Sequence, residues 1–312
     1  MRYSKFFCQR LQTLATVLCL MTCLSAGQAA LAQTSQQYFT SPDEAVQAMR
    51  NALAADNVDA LLAIFGTEGR GILLSGDEQA DRESRKNFYA ATEQQLQLDE
   101  TDENRRELII GPDEWPFPIP LIKEDAGWRF DTAAGVDELI NRRVGRNELE
   151  AIAMLQALAD AQTEYASLDR DGDQVLEYAQ RIVSTPGQQD GLYWADETED
   201  DPSPIGPYLE DASDYMEGRQ AGTPWYGYYF RILTRQGANP PGGAYDYVIN
   251  GNMIAGFALL AFPAQYGDSG IMTFMISHQG EVYQKDLGAD TATLVTSLDT
   301  YDPDDSWQSV TD

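Results

Sequence analysis

All three cysteines of this chain, Cys8, Cys19 and Cys23, fall within its first 23 residues. Whatever folds beyond them has no disulfide to restrain it and no thiolate to bind metal or attack a substrate. It must be held by an apolar core, and a remainder of about 280 residues is long enough to build one or two.

The segment that holds the cysteines has its own reading. Arg2, Lys5 and Arg10 precede an apolar stretch from Leu11 to about Gly27, which ends in small residues around Ala30-Leu31-Ala32. Charged, apolar and small segments in that order predict a cleavable signal peptide over residues 1–32 and a periplasmic or secreted protein. A retained anchor would want about 20 consecutive apolar residues, and Gln12, Thr13, Thr16 and Thr22 interrupt this stretch. A lipoprotein site at Cys23 is disfavoured by Thr22, which is larger than the residue usual before a lipidated cysteine. Cleavage removes three of the 21 basic residues and none of the 50 acids, taking the formal charge from −29 to −32. Such a field repels nucleic acid and anionic headgroups, and leaves cationic partners and divalent ions open.

The pattern beyond residue 32 predicts an α+β protein in two parts, residues 33–145 and 146–312. Ser41-Pro42-Asp43-Glu44 reads as a helix N-cap with proline in the first turn. Leu61, Leu62, Ile64 and Phe65 suggest a second short helix, and Glu78 to about Leu98 a third. Three short strands follow: Glu107–Ile110, a proline-rich run from Trp115 to Ile122, and Gly127–Asp131. In the second part, Asn147 and Glu150 have capping-box spacing. They open a helix to about Ser167, with Leu149, Ile152, Leu155, Leu158, Ala159, Gln162 and Tyr165 on its broad face. Residues 186–224 form a long acidic loop rich in glycine and proline, with a short helix near Tyr208–Met216. Strands are predicted at Tyr226–Leu233, Tyr245–Val248, Met253–Phe262, Ile271–Ile276 and Glu281–Lys285, with a hairpin at Gln279-Gly280.

Several motifs carry a family resemblance. Trp115-Pro116-Phe117-Pro118-Ile119-Pro120, Trp128-Arg129-Phe130-Asp131-Thr132, Asn141-Arg142-Arg143-Val144-Gly145-Arg146-Asn147-Glu148, Ser184-Thr185-Pro186-Gly187, Asp190-Gly191-Leu192-Tyr193-Trp194 and Gly267-Asp268-Ser269-Gly270 resemble the bacterial exported family termed domain of unknown function 2950. The resemblance implies no reaction and no catalytic residues. Helices followed by a small sheet with the Gly127-Trp128-Arg129-Phe130 strand resemble the nuclear-transport-factor-2-like cone, a fold that implies no function by itself. Residues 147–285 resemble the globular head of type IV pilins and pseudopilins, through Gly227-Tyr228-Tyr229-Phe230, Phe257–Pro263 and Phe274-Met275-Ile276-Ser277.

Chemistry-bearing groups are few. Asp169-Arg170-Asp171-Gly172-Asp173 places carboxylates at alternate positions, as in the first half of an EF-hand loop, with Glu177 at the ninth position. Asp169, Asp171, Asp173 and Glu177 are thus candidate ligands for Ca2+, the one cofactor the sequence offers. Gln174 and Gln180 stand where glycine and the bidentate glutamate are expected, and acids at 197–201 would complete a partial site. The alternative is an Asp-rich helix stop whose side chains satisfy nearby backbone groups. Gly267-Asp268-Ser269-Gly270 resembles a serine-protease motif, but the single histidine, His278, lies nine residues on, and a turn explains these residues more simply.

The aromatic group Tyr193, Trp194, Trp225, Tyr226, Tyr228, Tyr229, Tyr245 and Tyr247 is either strand packing or a glycan platform. Arg142, Arg143 and Arg146 form the densest basic group, expected to pair with the protein's own acids between the two parts or to bind an anion. The expected function is a non-enzymatic binding, assembly or envelope-maintenance factor whose partner is an envelope protein or glycan, with no nucleic acid and no membrane span after cleavage. A carboxylate-based hydrolase of envelope polymer and an adaptor with a pilin-like head are the alternatives.

Overall fold

Ser41 and Pro42 open the first helix as their residue types demand. The Ser41 hydroxyl accepts from the Glu44 N–H at 3.1 Å, and the Glu44 carboxylate reaches back to accept from the Thr40 N–H at 2.8 Å. The computed structural model describes residues 36–194, 202–206 and 222–310. The signal peptide, the acids at 197–201 and the helix expected near Tyr208–Met216 lie outside them.

Helices α1 (Pro42–Ala54), α2 (Val58–Phe65), α3 (Arg70–Leu73) and α4 (Glu78–Gln94) come first. Asn57 and Asp77 cap α2 and α4, each accepting a backbone N–H three residues on. A five-stranded antiparallel sheet follows, built from β1 (Leu96–Asp102), β2 (Arg105–Ile110), β3 (Trp115–Pro116), β4 (Leu121–Glu124) and β5 (Gly127–Phe130). Its order is β1-β2-β4-β5, with β3 pairing β2. Met49, Leu61, Ile64, Leu108, Ile119 and Phe130 fill the core between helices and sheet, each at most 2% exposed.

Two expectations are corrected here. The third helix stops at Gln94 instead of Leu98, because Leu96 and Leu98 alternate with exposed Gln97 and pair with Ile110 and Leu108. The expected Trp115–Ile122 strand is two strands, since Pro116, Pro118 and Pro120 have no N–H to give to a ladder.

The largest difference concerns the long helix. It is α5, Thr132–Tyr165, 34 residues without a break, about 50 Å at 1.5 Å per residue. It passes through positions 145 and 146, and Asn147 is an interior residue whose side chain donates to the Ser269 carbonyl at 2.9 Å instead of capping a start. Leu149, expected on the packed face, is 71% exposed. Gly135 is needed in the first turns: a Cβ there would strike the Pro118 carbonyl.

The second apolar cluster is packed around the far half of α5, where Leu155, Leu158 and Ala161 are fully buried. Strands β6 (Tyr228–Leu233), β7 (Arg235–Gln236), β8 (Tyr245–Asp246), β9 (Val248–Ile249), β10 (Asn252–Met253), β11 (Ala258–Pro263), β12 (Met272–Ser277) and β13 (Val282–Asp286) follow, then helix α6 (Thr291–Leu294) and β14 (Gln308–Ser309). The main sheet is antiparallel in the order β14-β13-β12-β11-β6. Helix α5 lies on β11 and β12. Near-continuous burial of those strands shows that the opposite face is covered too. The Arg231 guanidinium donates there to the Val295 and Leu298 carbonyls at 2.7 and 2.5 Å. Among the described residues no helix is long and apolar enough to cross a membrane.

Candidate functional site

The near half of α5 faces α3 and α4 across a cleft of about 690 Å³, which Tyr226 also lines. Its walls are mixed. Apolar surface comes from Leu53, Leu73, Leu139, Phe88, Trp115 and Phe117. The three rings form one group, with centroids 5.2 Å apart for Phe88 and Phe117 and 5.8 Å for Trp115 and Phe117.

The polar wall begins at the α3–α4 corner. Asp81, 6% exposed, accepts from the Ser75 N–H at 2.8 Å. Burial pushes its carboxyl above the ordinary value, against the opposing pull of Ser75, Arg143 and Arg85. One turn on, Arg85 is 8% exposed; its Nε donates to Asp56 at 2.7 Å and its Nη1 to the Leu73 carbonyl at 3.2 Å. Asp77 adds a link outside its own helix, because its second carboxylate oxygen accepts from the Gly227 N–H at 3.2 Å.

From α5 come the three arginines, and they do three different things. Arg143 Nε donates to the Asp268 carbonyl at 2.8 Å and Nη1 to the Ile72 carbonyl at 3.2 Å, while Nη2 donates to the Gly71 carbonyl. Burial pushes its guanidinium below the usual arginine value, with Asp81 and Asp268 pulling the other way. Arg142 bonds Glu138 one turn back at 2.5 Å and lies 5.8 Å from the Trp115 ring centroid. Arg146 is exposed and makes no hydrogen bond or ion pair among the described residues. Pairing with acids between the two parts is therefore corrected for this group: Arg143 joins them through carbonyls, Arg142 pairs within its helix, and Arg146 does neither. Glu148 supplies an acid to the join, its carboxylate accepting from the Ile271 and Met272 N–H groups at 3.0 Å each.

The aspartate loop is well formed. Asp169, Asp171 and Asp173 are exposed and bring carboxylate oxygens within 4.8 Å of one another. Asp169 accepts from the N–H groups of Gly172 and Gln174 at 2.8 and 3.0 Å. Gln174 takes φ 70, the left-handed conformation that a glycine would adopt more readily at this sixth position. Glu177 is not brought into the group; its Oε2 accepts from the Met253 N–H at 2.9 Å. Gln180 donates to the Gly251 carbonyl at 2.7 Å.

Other expected groups are structural. Ser269 is fully buried, and its hydroxyl donates to the Gln265 carbonyl at 3.1 Å and accepts the Gln265 N–H at 2.9 Å, as a turn residue does. His278 packs edge-on against Tyr247, centroids 5.7 Å apart. Of the aromatic set, Trp194, Trp225, Tyr228 and Tyr247 are buried, so a continuous glycan platform of these rings is not formed. A second hollow of about 960 Å³ lies beside Asp171 and Glu177. There the Arg170 guanidinium sits between the Tyr165 and Trp194 rings, 5.2 and 5.1 Å from their centroids.

Sequence reading missed Asp81, Arg85 and Phe88. Their spacing of four and three marks one helix face, but a face of charges reads as solvated until something is packed on it.

Of the segments quoted above for the family resemblance, 115–120 and 141–148 contribute to this cleft and 267–270 bonds to Arg143 and Asn147, whereas 184–187 and 190–194 contribute to the second hollow. The chain belongs to the family described as protein of unknown function (DUF2950), which matches residues 36–310. No curated protein and no solved structure matches it.

Proposed function

We propose that this protein is an exported binding factor of the cell envelope, acting without catalysis through the cleft between α4 and α5. The observation that carries the reading is the cleft itself. Sites for small molecules are typically hollows of about 300–1,000 Å³ with mostly apolar walls and a few placed polar groups, and this one has that size and make-up. The buried carboxylate among its lining residues, Asp81, is committed to Ser75, which supports binding over acid–base chemistry. Export through residues 1–32, with cleavage near Ala32, places the site in the periplasm or medium.

The test is native mass spectrometry of the protein released from the envelope fraction of its own cells. A bound small molecule is expected, and it is lost when Leu139→Trp fills the cleft. Protein that emerges bare, or a ligand retained in Leu139→Trp, overturns the reading.

A second proposal concerns the loop of Asp169, Asp171 and Asp173, which we read as a weak structural Ca2+ site of the affinity common outside cells, about 10⁻⁴–10⁻³ M. The convergence of three exposed carboxylates supports it. Millimolar calcium is expected to raise the melting temperature relative to chelator in the wild type and not in Asp171→Asn. Equal shifts in both proteins remove it.

A further inference from the structure

We infer that the cleft takes a small anionic amphiphile, its charged group seated on Arg146 and its apolar body against Trp115 and Phe88. The inference rests on the reading of the cleft as a binding site and adds the chemistry of the ligand.

Charge is the first argument. The chain carries a formal −29, and this hollow gathers four of its arginines beside Asp81, Glu83 and Glu150, so what counts is which arginine has a bonded partner. Arg85 is matched by Asp56 and Arg142 by Glu138. Arg143 spends its donors on neutral carbonyls, with Asp81 and Asp268 acting on its charge from nearby without bonding it. Arg146 has no bonded partner among the described residues. Arg142, Arg143 and Arg146 also stand four and three residues apart on one helix, where like charges repel. An anion placed at Arg146 relieves that repulsion and supplies the missing acceptor for a guanidinium fork.

Geometry is the second argument. The unpartnered cation stands on the same wall as Arg142, whose guanidinium is already stacked over Trp115. A ligand whose anionic end bonds Arg146 therefore has aromatic surface and the aliphatic residues Leu53, Leu73 and Leu139 available within the same hollow. A wholly polar anion would leave that surface unused, and a neutral apolar molecule would leave Arg146 unpaired.

The test uses a matched pair of fluorescent probes, anilinonaphthalene sulfonate and phenyl-naphthylamine, which share their rings and differ by the sulfonate. With the purified protein, the sulfonate is expected to bind at least about tenfold more tightly, the worth of a charge-assisted hydrogen bond. Arg146→Gln should bring it down to the neutral probe and leave the neutral probe unchanged, while Trp115→Ala weakens both. Dodecanoate and dodecyl phosphate should each displace the sulfonate probe, and the stronger of the two identifies whether the natural head group is a carboxylate or a phosphate.

Equal affinity of the two probes, an Arg146→Gln protein that binds the sulfonate as before, or displacement by dodecanol as good as by the anions overturns the inference. If Trp115→Ala weakens both probes while Arg146→Gln affects neither, the ligand chemistry is wrong and the cleft stands as a site. If neither Trp115→Ala nor Leu139→Trp affects either probe, the cleft reading has failed as well.

Discussion

The two halves of α5 have the same backbone and opposite uses. From Ala151 to Tyr165 the helix buries Ala151, Met154, Leu155, Ala157, Leu158, Ala161 and Tyr165 against the second sheet. From Thr132 to Gly145 only Thr132, Gly135 and Val144 are buried, and the polar groups include exposed Arg142 and half-buried Arg143 of the cleft. Polar Gln162 obeys the rule of the buried half: both its side-chain atoms bond the backbone of Ala179 at 2.8 Å, so nothing there is left unpaired. Arg146, just short of the midpoint, is where the rule lapses. Buried apolar side chains are concentrated in one half of the helix, and the cation without a bonded partner among the described residues lies in the other.

Five substitutions would break or sharpen that contrast. The largest effect belongs to Leu155→Ala, which empties a fully buried site and should cost about 3 kcal/mol in urea unfolding. Leu149→Ala, at 71% exposure on the same helix, should change stability by less than about 0.5 kcal/mol. Next is Arg143→Met: three carbonyls lose their donor, and a loss of about 2 kcal/mol is expected. A neutral result would mean that the near half contributes nothing to holding the cores together.

Gly145→Ala should act in the opposite direction, raising stability by about 1 kcal/mol. Its added Cβ meets no atom within 4 Å, and alanine is the better helix residue. The smallest effect is expected for Arg146→Met, within about 0.5 kcal/mol of wild type, because no bond is lost. A clear destabilisation by Arg146→Met would erase the distinction between a structural and a binding arginine.

What was legible in the sequence was local. The Ser41-Pro42 cap and the Gly127–Phe130 strand are each decided by residues within a few positions of one another, and each is found where it was expected. Gln174 in the left-handed conformation shows the loop winning over the preference of its side chain. The start of α5 was hidden because Thr132–Arg146 buries too few apolar residues to display a helical period. The cleft was hidden for a different reason: its walls come from residues as far apart as Leu53 and Tyr226. No window on the chain contains both.

Arg143 also sets an order of events. Its carbonyl partners lie 71 and 72 residues before it and 125 residues after it. A chain that emerges with its N-terminus first can assemble the early partners long before Asp268 is available to complete the set. The near wall then waits, half made, while more than a hundred further residues are synthesised. A chain cut short of Asp268 would therefore hold Arg143 by two of its three acceptors, and the wall it belongs to would be left incompletely fixed.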